Sequence, residues 1–519
     1  MEGIKNKIIY FYILYFMKKK SMIINIIFNA IKTVLNLLFP LITFPYASRV
    51  LGVENIGLVQ YYNSIISYFI LFAGLGVSYY AVREGTKYRD DKDSLSKFSS
   101  ELISILLITT FISYIMLFII FFTNRSSFDE KLLVISSLSI MFSSLSLEWI
   151  YQIKEDFVYI SLRSFCFHII SFISLILFVK SKNDYYIYAI LHVISCGGSS
   201  ILNILNSKKY ITFLKVKVLD LKKHIKPILI IFGSSIATTI YMNMDTVMIG
   251  YINGSYDVGL YTVSVKVNQA LKMLISSVST VMLSRLSYYI NTNQIHKYKQ
   301  LLSTGVNSIF LILIPCAFGL IILSEQVIIL FSGNEYIQAS FASKILSINI
   351  IFSVIDTILY YQVLLPFKKE KEACFATIVG AVVNLVLNMY AIKYYSFNGA
   401  AVTTLLSEIC VFIVLLYYAN QSINIRKYIN EIYYYIIASV PIFFIGKYCI
   451  SNYSNYIITI FSTVFISIVI YIPIILIIKK EYILIIQNKR QWLNTSAFYL
   501  AIKLLSCTKY SVLHTYLTY

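Results

Sequence analysis

The sequence predicts an all-α integral membrane protein with about 14 transmembrane helices. Hydrophobic residues make up 58% of the 519 residues and charged residues only 13%, about half the charged share of an average soluble domain. Apolar runs of about 20 residues, the length that crosses a bilayer as a helix, recur along the chain. They lack the alternation of β-barrel strands, and a helix satisfies its own backbone in lipid. This composition excludes a soluble multidomain protein.

Fourteen apolar runs are predicted to span the membrane. In chain order they lie near residues 22–45, 56–80, 101–122, 132–151, 157–179, 185–206, 227–251, 259–283, 302–324, 345–365, 374–395, 398–419, 432–450 and 456–478. The predicted segments are a cytoplasmic N-terminal segment (1–21), a first six-helix bundle (22–206), a basic cytoplasmic linker (207–226), a second six-helix bundle (227–419), helices 13 and 14 (420–478) and a cytoplasmic tail (479–519).

The distribution of basic residues predicts the orientation of these helices. A net charge of +20 would suggest a nucleic-acid partner for a soluble chain, but here the basic residues lie mainly in short loops. With a cytoplasmic N-terminus, roughly 32 of the 44 Lys and Arg residues fall inside and about 8 outside. We therefore expect both termini in the cytoplasm and no nucleic-acid partner.

The sequence contains no pattern typical of a catalytic or metal site. Its seven cysteines are scattered, with no CxxC pair and no Cys/His pairing at metal-ligand spacing. It also lacks the phosphate-binding pattern GxxxxGK[ST], so we do not expect ATP hydrolysis by this chain. We expect no cofactor, no metal and no enzymatic activity.

A glycine motif occurs twice along the chain. Both copies read G-x4-G-L, and they begin at Gly52 and Gly254, 202 residues apart. Arg83 and Arg285 repeat at the same offset, each at the end of an apolar run. Six predicted spans separate the copies, so both insert with the same orientation. This pattern predicts two six-helix bundles related by a pseudo-two-fold axis along the membrane normal, with helices 13 and 14 outside the repeat.

Three stretches of the chain resemble one transporter family. They are NLLFPLITFPYASRVLGVENIGLVQ (Asn36–Gln60), YMNMDTVMIGYINGSYDVGLYTVSVKV (Tyr241–Val267) and NGAAVTTLLSE (Asn398–Glu408). The chain resembles the Wzx-type polysaccharide flippases of the MATE-like multidrug/oligosaccharidyl-lipid/polysaccharide exporter superfamily. The resemblance implies two six-helix bundles plus two helices, and export of lipid-linked oligosaccharides across a bacterial plasma membrane by alternating access. A polysaccharide polymerase is an expected partner.

Polar stripes on the first, seventh, eighth and tenth predicted helices indicate a hydrated cavity; helix packing is the alternative, because Ser, Thr and Asn also bond between helices. The first helix carries a stripe at spacings of four, three and four, which places its members on one helical face: Asn25, Asn29, Lys32 and Asn36. The eighth helix carries Lys266 and Gln269. A charge inside the bilayer is costly and usually faces a cavity or a partner. Since an ammonium is a compact charge with three donors, we expect these residues to bind the diphosphate or acidic sugar of the substrate.

Four further charged residues have two interpretations each. Asp245 in the seventh helix and Asp356 in the tenth would bind a coupling cation or pair with the cavity lysines. Arg83 and Arg285, at cytoplasmic helix ends, are candidates for a gate or for anchoring to lipid headgroups.

Other polar residues inside the apolar runs are weaker candidates. For Glu148 two roles are equally possible: an ion pair that only stabilises the fold, or a residue of the binding site. Arg163 is expected to snorkel to the inner interface. His168 and His192 have no companion ligand at metal spacing and are expected to be satisfied interior histidines.

Two other functions compete with the flippase hypothesis. A multidrug or metabolite exporter of the same architecture is favoured by an apolar, acidic cavity, whereas paired lysines favour an anionic glycolipid. A membrane polysaccharide polymerase is a weaker alternative, because no outer loop is long enough for a catalytic domain and an enzyme does not explain the repeat.

Overall fold

A computed structural model describes residues 2–123, 129–212 and 220–478, which are helical almost throughout and contain no strand. The helices before the linker are α1 Glu2–Gly74, α2 Val77–Gly85, α3 Lys92–Thr123, α4 Glu130–Ser144, α5 Glu148–Ile153, α6 Phe157–Phe178, α7 Tyr185–Val193 and α8 Ser199–Ser207. Those after it are α9 Lys222–Ile252, α10 Ser255–Asn291, α11 Ile295–Ile322, α12 Ser324–Ser332, α13 Ser340–Ile358, α14 Glu370–Asn420, α15 Arg426–Ile429, α16 Ile432–Asn452 and α17 Tyr456–Ile478.

The predicted membrane class is confirmed, but the count of fourteen spans stays a prediction. By length and apolar composition, nine helices of the described ranges are able to cross a membrane, or ten if the bent pair Lys222–Gly233 and Ser235–Ile252 is one span. Some of these helices contain two predicted runs. The 51 residues of α14 would extend about 75 Å at 1.5 Å per residue, more than twice a bilayer core of about 30 Å. This helix breaks at Ser396 (φ 48°, ψ −136°).

The predicted segment boundaries meet the described helices in different ways. The boundary between residues 21 and 22 lies within α1, which begins at Glu2. The tail 479–519 and residues 213–219 of the linker lie outside the described residues. The helices form two packed groups, one in each half of the chain. In the first half α1 packs on α3, α4 and α6, and in the second half α10 packs on α11 and α13. Helix α16 packs on α11 and α17, at the periphery of the second group.

The first glycines of the two repeat motifs share an unusual backbone conformation. Gly52 interrupts α1 with φ 76° and ψ 176°, and Gly254 precedes α10 with φ 98° and ψ 178°. A positive φ combined with an extended ψ is reached almost only by glycine. The same break in the helix therefore recurs at the offset at which the motif recurs.

The second glycines of the motifs bring α1 and α10 into backbone contact. A Cβ added to Gly57 would lie 1.7 Å from the Ser255 carbonyl oxygen, and one added to Gly259 would lie 2.1 Å from the Val53 carbonyl oxygen. Positions 53 and 57 correspond to 255 and 259 at the repeat offset. Exchange of the repeats turns one contact into the other, so this crossing lies on the predicted pseudo-two-fold axis.

One end of the molecule, which we call the Gly52 face, is closed by contacts between the halves. It comprises the helix ends and connections around Gly52, Lys182, Gly254 and Glu335. The Lys182 ammonium lies 3.0 Å from the Glu335 carboxylate, and the Tyr336 hydroxyl donates to the Ser48 carbonyl oxygen at 3.2 Å. Apolar side chains of both halves are buried beneath these contacts: Leu51, Ile56, Val258 and Leu260.

At the opposite end, the start of α9 docks on the first half. The Glu101 carboxylate of α3 is fully buried and lies 2.8 Å from the Lys223 ammonium and 2.9 Å from Nε2 of His224. The Tyr80 hydroxyl lies 2.7 Å from Nδ1 of the same histidine. These bonds fix the point at which the linker enters the second half.

Candidate functional site

A cavity of about 490 Å³ lies next to the α1–α10 crossing. Its wall comes mainly from the first half, through α1, α6, α7 and the π-helical turn Ile194–Gly198 between α7 and α8. Such turns are frequently found at functional sites. The second half contributes Lys266 of α10. The cavity is therefore shared by the halves, although unequally.

The polar side chains on the wall include two lysines, two histidines and three amides beside one carboxylate. They are Lys32, Asn36, Gln60, Asn63, Glu148, His168, His192 and Lys266. Phe39, Pro40 and Leu175 form apolar wall beside them. A cavity with a few convergent polar groups on an otherwise apolar wall is typical of a ligand site. Here the ligand it suits is amphipathic and anionic.

Only some of the binding residues predicted from the sequence line the cavity in the structure. Lys32, Asn36 and Lys266 line the cavity, whereas Gln269 is half-buried and does not line it. Asn25 and Asn29 lie outside the described side chains. The predicted polar stripe of α1 thus reaches the cavity at the two of its members whose side chains are described.

Lys32 belongs to a charged cluster that was not predicted from the sequence. Its ammonium forms an ion pair with the Glu148 carboxylate, which also lies 3.2 Å from the Arg163 guanidinium. Arg163 is bonded to the Asn203 side-chain oxygen and has a side chain only 3% exposed. The expectation that Arg163 reaches the interface is therefore wrong, because two polar partners hold its side chain inside the bundle.

The two histidines face the cavity instead of the interior core. His168 lies 2.9 Å from the Asn36 side-chain oxygen and 3.3 Å from the Ser195 hydroxyl, and its ring stacks on Phe39 with centroids 4.4 Å apart. It is satisfied, as expected, but at the cavity wall. Within the described ranges no group of three or more His, Cys, Asp or Glu side chains is arranged to hold a metal ion.

Asp245 lies in a separate polar cluster of the second half. Its carboxylate is 7% exposed and accepts hydrogen bonds from the Tyr261 hydroxyl at 2.5 Å, the Asn388 amide at 2.6 Å and the Thr404 hydroxyl at 2.7 Å. All three partners are neutral, and all three carry an oxygen. The pairing of Asp245 with a cavity lysine, one of its two predicted roles, is not formed here.

Asp356 lies in a second acidic cluster near Glu408. Its side chain is 7% exposed, and neither carboxylate oxygen has a hydrogen-bond partner among the described residues. Glu408 accepts from the Tyr241 hydroxyl and lies 3.9 Å from the Lys272 ammonium, which in turn bonds to Ser353. A buried carboxylate without a bond is a costly group, so this pair is suited to taking up a cation or a proton.

The two predicted gate arginines are exposed at the end of the molecule opposite the Gly52 face. The Arg83 side chain is 61% exposed, lies 3.2 Å from the Glu84 carboxylate and lies over the Tyr80 ring at 5.9 Å. Arg285 is also exposed. Both the gate role and the headgroup role stay predictions.

A signal for the role of Glu148 exists in the sequence. Within the six apolar runs of the first half, Glu101 and Glu148 are the only acidic residues. A lysine inside a bundle requires a partner, and Glu101 lies at the start of its run, so Glu148 was the available carboxylate.

The chain matches known families and folds. Residues 22–289 match the family model described as "Polysaccharide biosynthesis protein", and residues 231–390 match the one described as "MatE". Over 414 residues, the chain is 24% identical to a protein of Escherichia coli (strain K12) named "Putative O-antigen transporter", covering 78% of this chain and 98% of that protein.

Two solved structures have a similar fold. One is "Lipid II flippase MurJ, inward closed conformation", with a TM-score of 0.72, 18% identity, and coverage of 88% of this chain and 100% of that one. The other is "Inward-facing conformation of a multidrug resistance MATE family transporter of the MOP superfamily", with a TM-score of 0.60, 16% identity, and coverage of 78% and 99%. This likeness confirms the predicted fold class.

Proposed function

Because this chain belongs to the polysaccharide biosynthesis protein family, we propose that it is a flippase that moves lipid-linked oligosaccharide repeat units across the membrane. The proposal rests chiefly on the cavity that Lys32 and Lys266 line from the two halves. Polyprenyl diphosphate is the anionic group that we assign to those lysines, and the sugars would occupy the polar wall. The export would serve capsule, O-antigen or exopolysaccharide synthesis.

The orientation of the transporter follows from the charge distribution. With fourteen spans both termini would lie on one side, which would also hold most of the basic residues; we assign that side to the cytoplasm of a bacterium with the chain in its plasma membrane. The Gly52 face then lies outside, and its closure leaves the cavity to be reached from the cytoplasmic side. Alternating access would require the α1–α10 crossing to separate. A polysaccharide polymerase is the proposed consumer of the exported units.

The proposed function predicts where substrate collects in a deletion strain. Removal of the gene should abolish surface polysaccharide and leave lipid-linked repeat units in the inner leaflet, because the diphosphate and sugars do not cross lipid unaided. The leaflet is determined in spheroplasts with a membrane-impermeant reagent for sugars, before and after permeabilisation. Single units in the outer leaflet would indicate a polymerase instead, and unchanged polysaccharide would contradict the proposal.

A multidrug or metabolite exporter is the second candidate. The match of residues 231–390 to the MatE model and the buried acidic residues of the second half favour it. The same deletion strain separates the two functions, because an exporter of this kind would leave the polysaccharide intact and increase sensitivity to a cationic compound.

We also propose that Asp245 binds the coupling cation. Its carboxylate already accepts from the Tyr261 and Thr404 hydroxyls and from the Asn388 amide, whose side chain also carries an oxygen. Oxygen ligands suit a hard cation. Asp245→Asn should therefore abolish the dependence of transport on a proton or sodium gradient. The measurement is flipping in vesicles with and without each imposed gradient. Asp257→Asn, at the start of α10 outside this cluster, is the control, and a gradient response retained by Asp245→Asn would refute the role.

A further inference from the structure

The cavity wall holds an anion of its own at the lysine that the substrate is proposed to use. Oε1 of Glu148 pairs with the Lys32 ammonium and accepts from the Gln152 amide at 3.2 Å, and Oε2 lies 3.2 Å from the Arg163 guanidinium. One carboxylate is thus shared between two cations that come from α1 and α6. Its place at the start of α5 follows from a break at Leu147, which has φ 49°.

The two cations differ in their freedom to change partner. Arg163 is buried and bonded to Asn203, which also donates its amide to the Ser146 carbonyl oxygen at 2.7 Å, beside the start of α5. The guanidinium is therefore tied to the backbone that carries Glu148. Lys32 and Glu148 are 14% and 26% exposed, and both line the cavity. An incoming anion meets these two side chains and not Arg163.

We propose that Glu148 is a resident counter-anion, which a phosphate of the substrate displaces from Lys32 and which returns when the substrate leaves. This inference rests on the proposed function and adds to it the residue that sets the strength of diphosphate binding. During displacement Arg163 retains the carboxylate, so Glu148 is never left without a cation. A phosphate group carries more charge than a carboxylate and accepts more hydrogen bonds, and three ammonium donors are able to serve it.

Competition between Glu148 and the substrate phosphate for Lys32 would help a transporter to release the substrate that it binds. Lys32 and Lys266 without a competing carboxylate would hold a diphosphate strongly, and a tightly held substrate leaves slowly. The carboxylate lowers the affinity by offering Lys32 an alternative partner. Glu148 is in this sense a positioning residue that acts through Lys32.

The test compares diphosphate affinity among charge variants of the full-length purified protein. Geranylgeranyl diphosphate is the probe, and its dissociation constant is measured in detergent by microscale thermophoresis. Glu148→Gln keeps the shape but removes the competing charge, so we expect about tenfold tighter binding, together with reduced surface polysaccharide in cells. Glu148→Asp should bind like wild type, and Lys32→Met should bind more weakly. Glu155→Gln, which removes an exposed carboxylate paired with Arg89 outside the cavity, should change nothing.

The direction of the change separates this role from a structural one. Damage to the fold weakens binding, whereas removal of a competing anion strengthens it. Wild-type binding with equal or weaker binding by Glu148→Gln overturns the counter-anion role and leaves the proposed function standing. Absence of probe binding by wild type and by Glu148→Gln alike overturns both.

Discussion

Replacement of Lys32 by methionine is expected to reduce surface polysaccharide by at least about tenfold while the protein level stays unchanged. The substitution removes a cation from the cavity wall. It also leaves the Glu148 carboxylate facing the cavity with Arg163 as its one remaining cationic partner among the described contacts. A diphosphate would then meet a negative charge where it had met a positive one. The readouts are polysaccharide at the cell surface and the amount of protein in the membrane.

A double variant separates loss of charge from damage to the fold. Glu148 keeps Arg163 as a partner when Lys32 alone is replaced, so the protein level is expected to hold. Replacing both partners of an ion pair by neutral residues of similar shape is often tolerated, and Arg163 keeps its bond to Asn203 in such a variant. Lys32→Met combined with Glu148→Gln should therefore accumulate normally and still fail to export. Lys131→Met, which alters an exposed lysine outside the cavity, is the matched control. Full retention of polysaccharide by Lys32→Met would dismiss the assignment.

The helices and the repeat could largely be predicted from the sequence. The predicted apolar runs are largely helical, although those near 56–80 and 132–151 each contain a break, because hydropathy over about 20 residues is decided locally. The motif beginning at Gly52 and Gly254 was predictive because a positive φ with an extended ψ leaves little choice but glycine. Lys32, Asn36 and Lys266 were found because a charged or amide side chain in lipid calls for a cavity or a partner.

The charged cluster of Lys32, Glu148 and Arg163 could not be predicted from the spacing of residues in the sequence. Glu148 belongs to a predicted run that continues to residue 151, but the chain breaks at Leu147 with no Gly or Pro to indicate it. The carboxylate consequently lies in the first turn of a short helix, where it meets Lys32, 116 residues away. Pairings between helices so distant in sequence depend on tertiary packing, which no local pattern encodes.

The glycines at the α1–α10 crossing carry the other large expected effect. Gly57→Ala should reduce export by at least about tenfold, because a Cβ at 1.7 Å from the Ser255 carbonyl oxygen forces two backbones apart. Gly259→Ala should act in the same way through the Val53 carbonyl oxygen, at 2.1 Å. Backbone atoms have no rotamer with which to give way, so the Gly52 face should fail to close.

Matched controls exist at the end of α1 and in α11. A Cβ added to Gly74, at the end of α1, or to Gly319, in α11, would meet no atom within 4 Å. Gly74→Ala and Gly319→Ala should therefore export like wild type. Gly319→Ala carries the same change in helix propensity as the test variants, because it also lies in a helix interior, and Gly74→Ala tests a Gly-to-Ala change on α1 away from the crossing.

Accessibility from the Gly52 face distinguishes an open crossing from a misfolded protein. Ile56 is 1% exposed and lines the cavity beneath the crossing. In a chain whose native cysteines are replaced by serine, Ile56→Cys should react slowly with an impermeant maleimide added outside the cell. Adding Gly57→Ala or Gly259→Ala should increase that rate, and adding Gly74→Ala should not. An unchanged rate together with full export would show that the glycine contact does not close this face, whereas faster labelling with lost export would identify the crossing as the contact that must form and separate in each cycle.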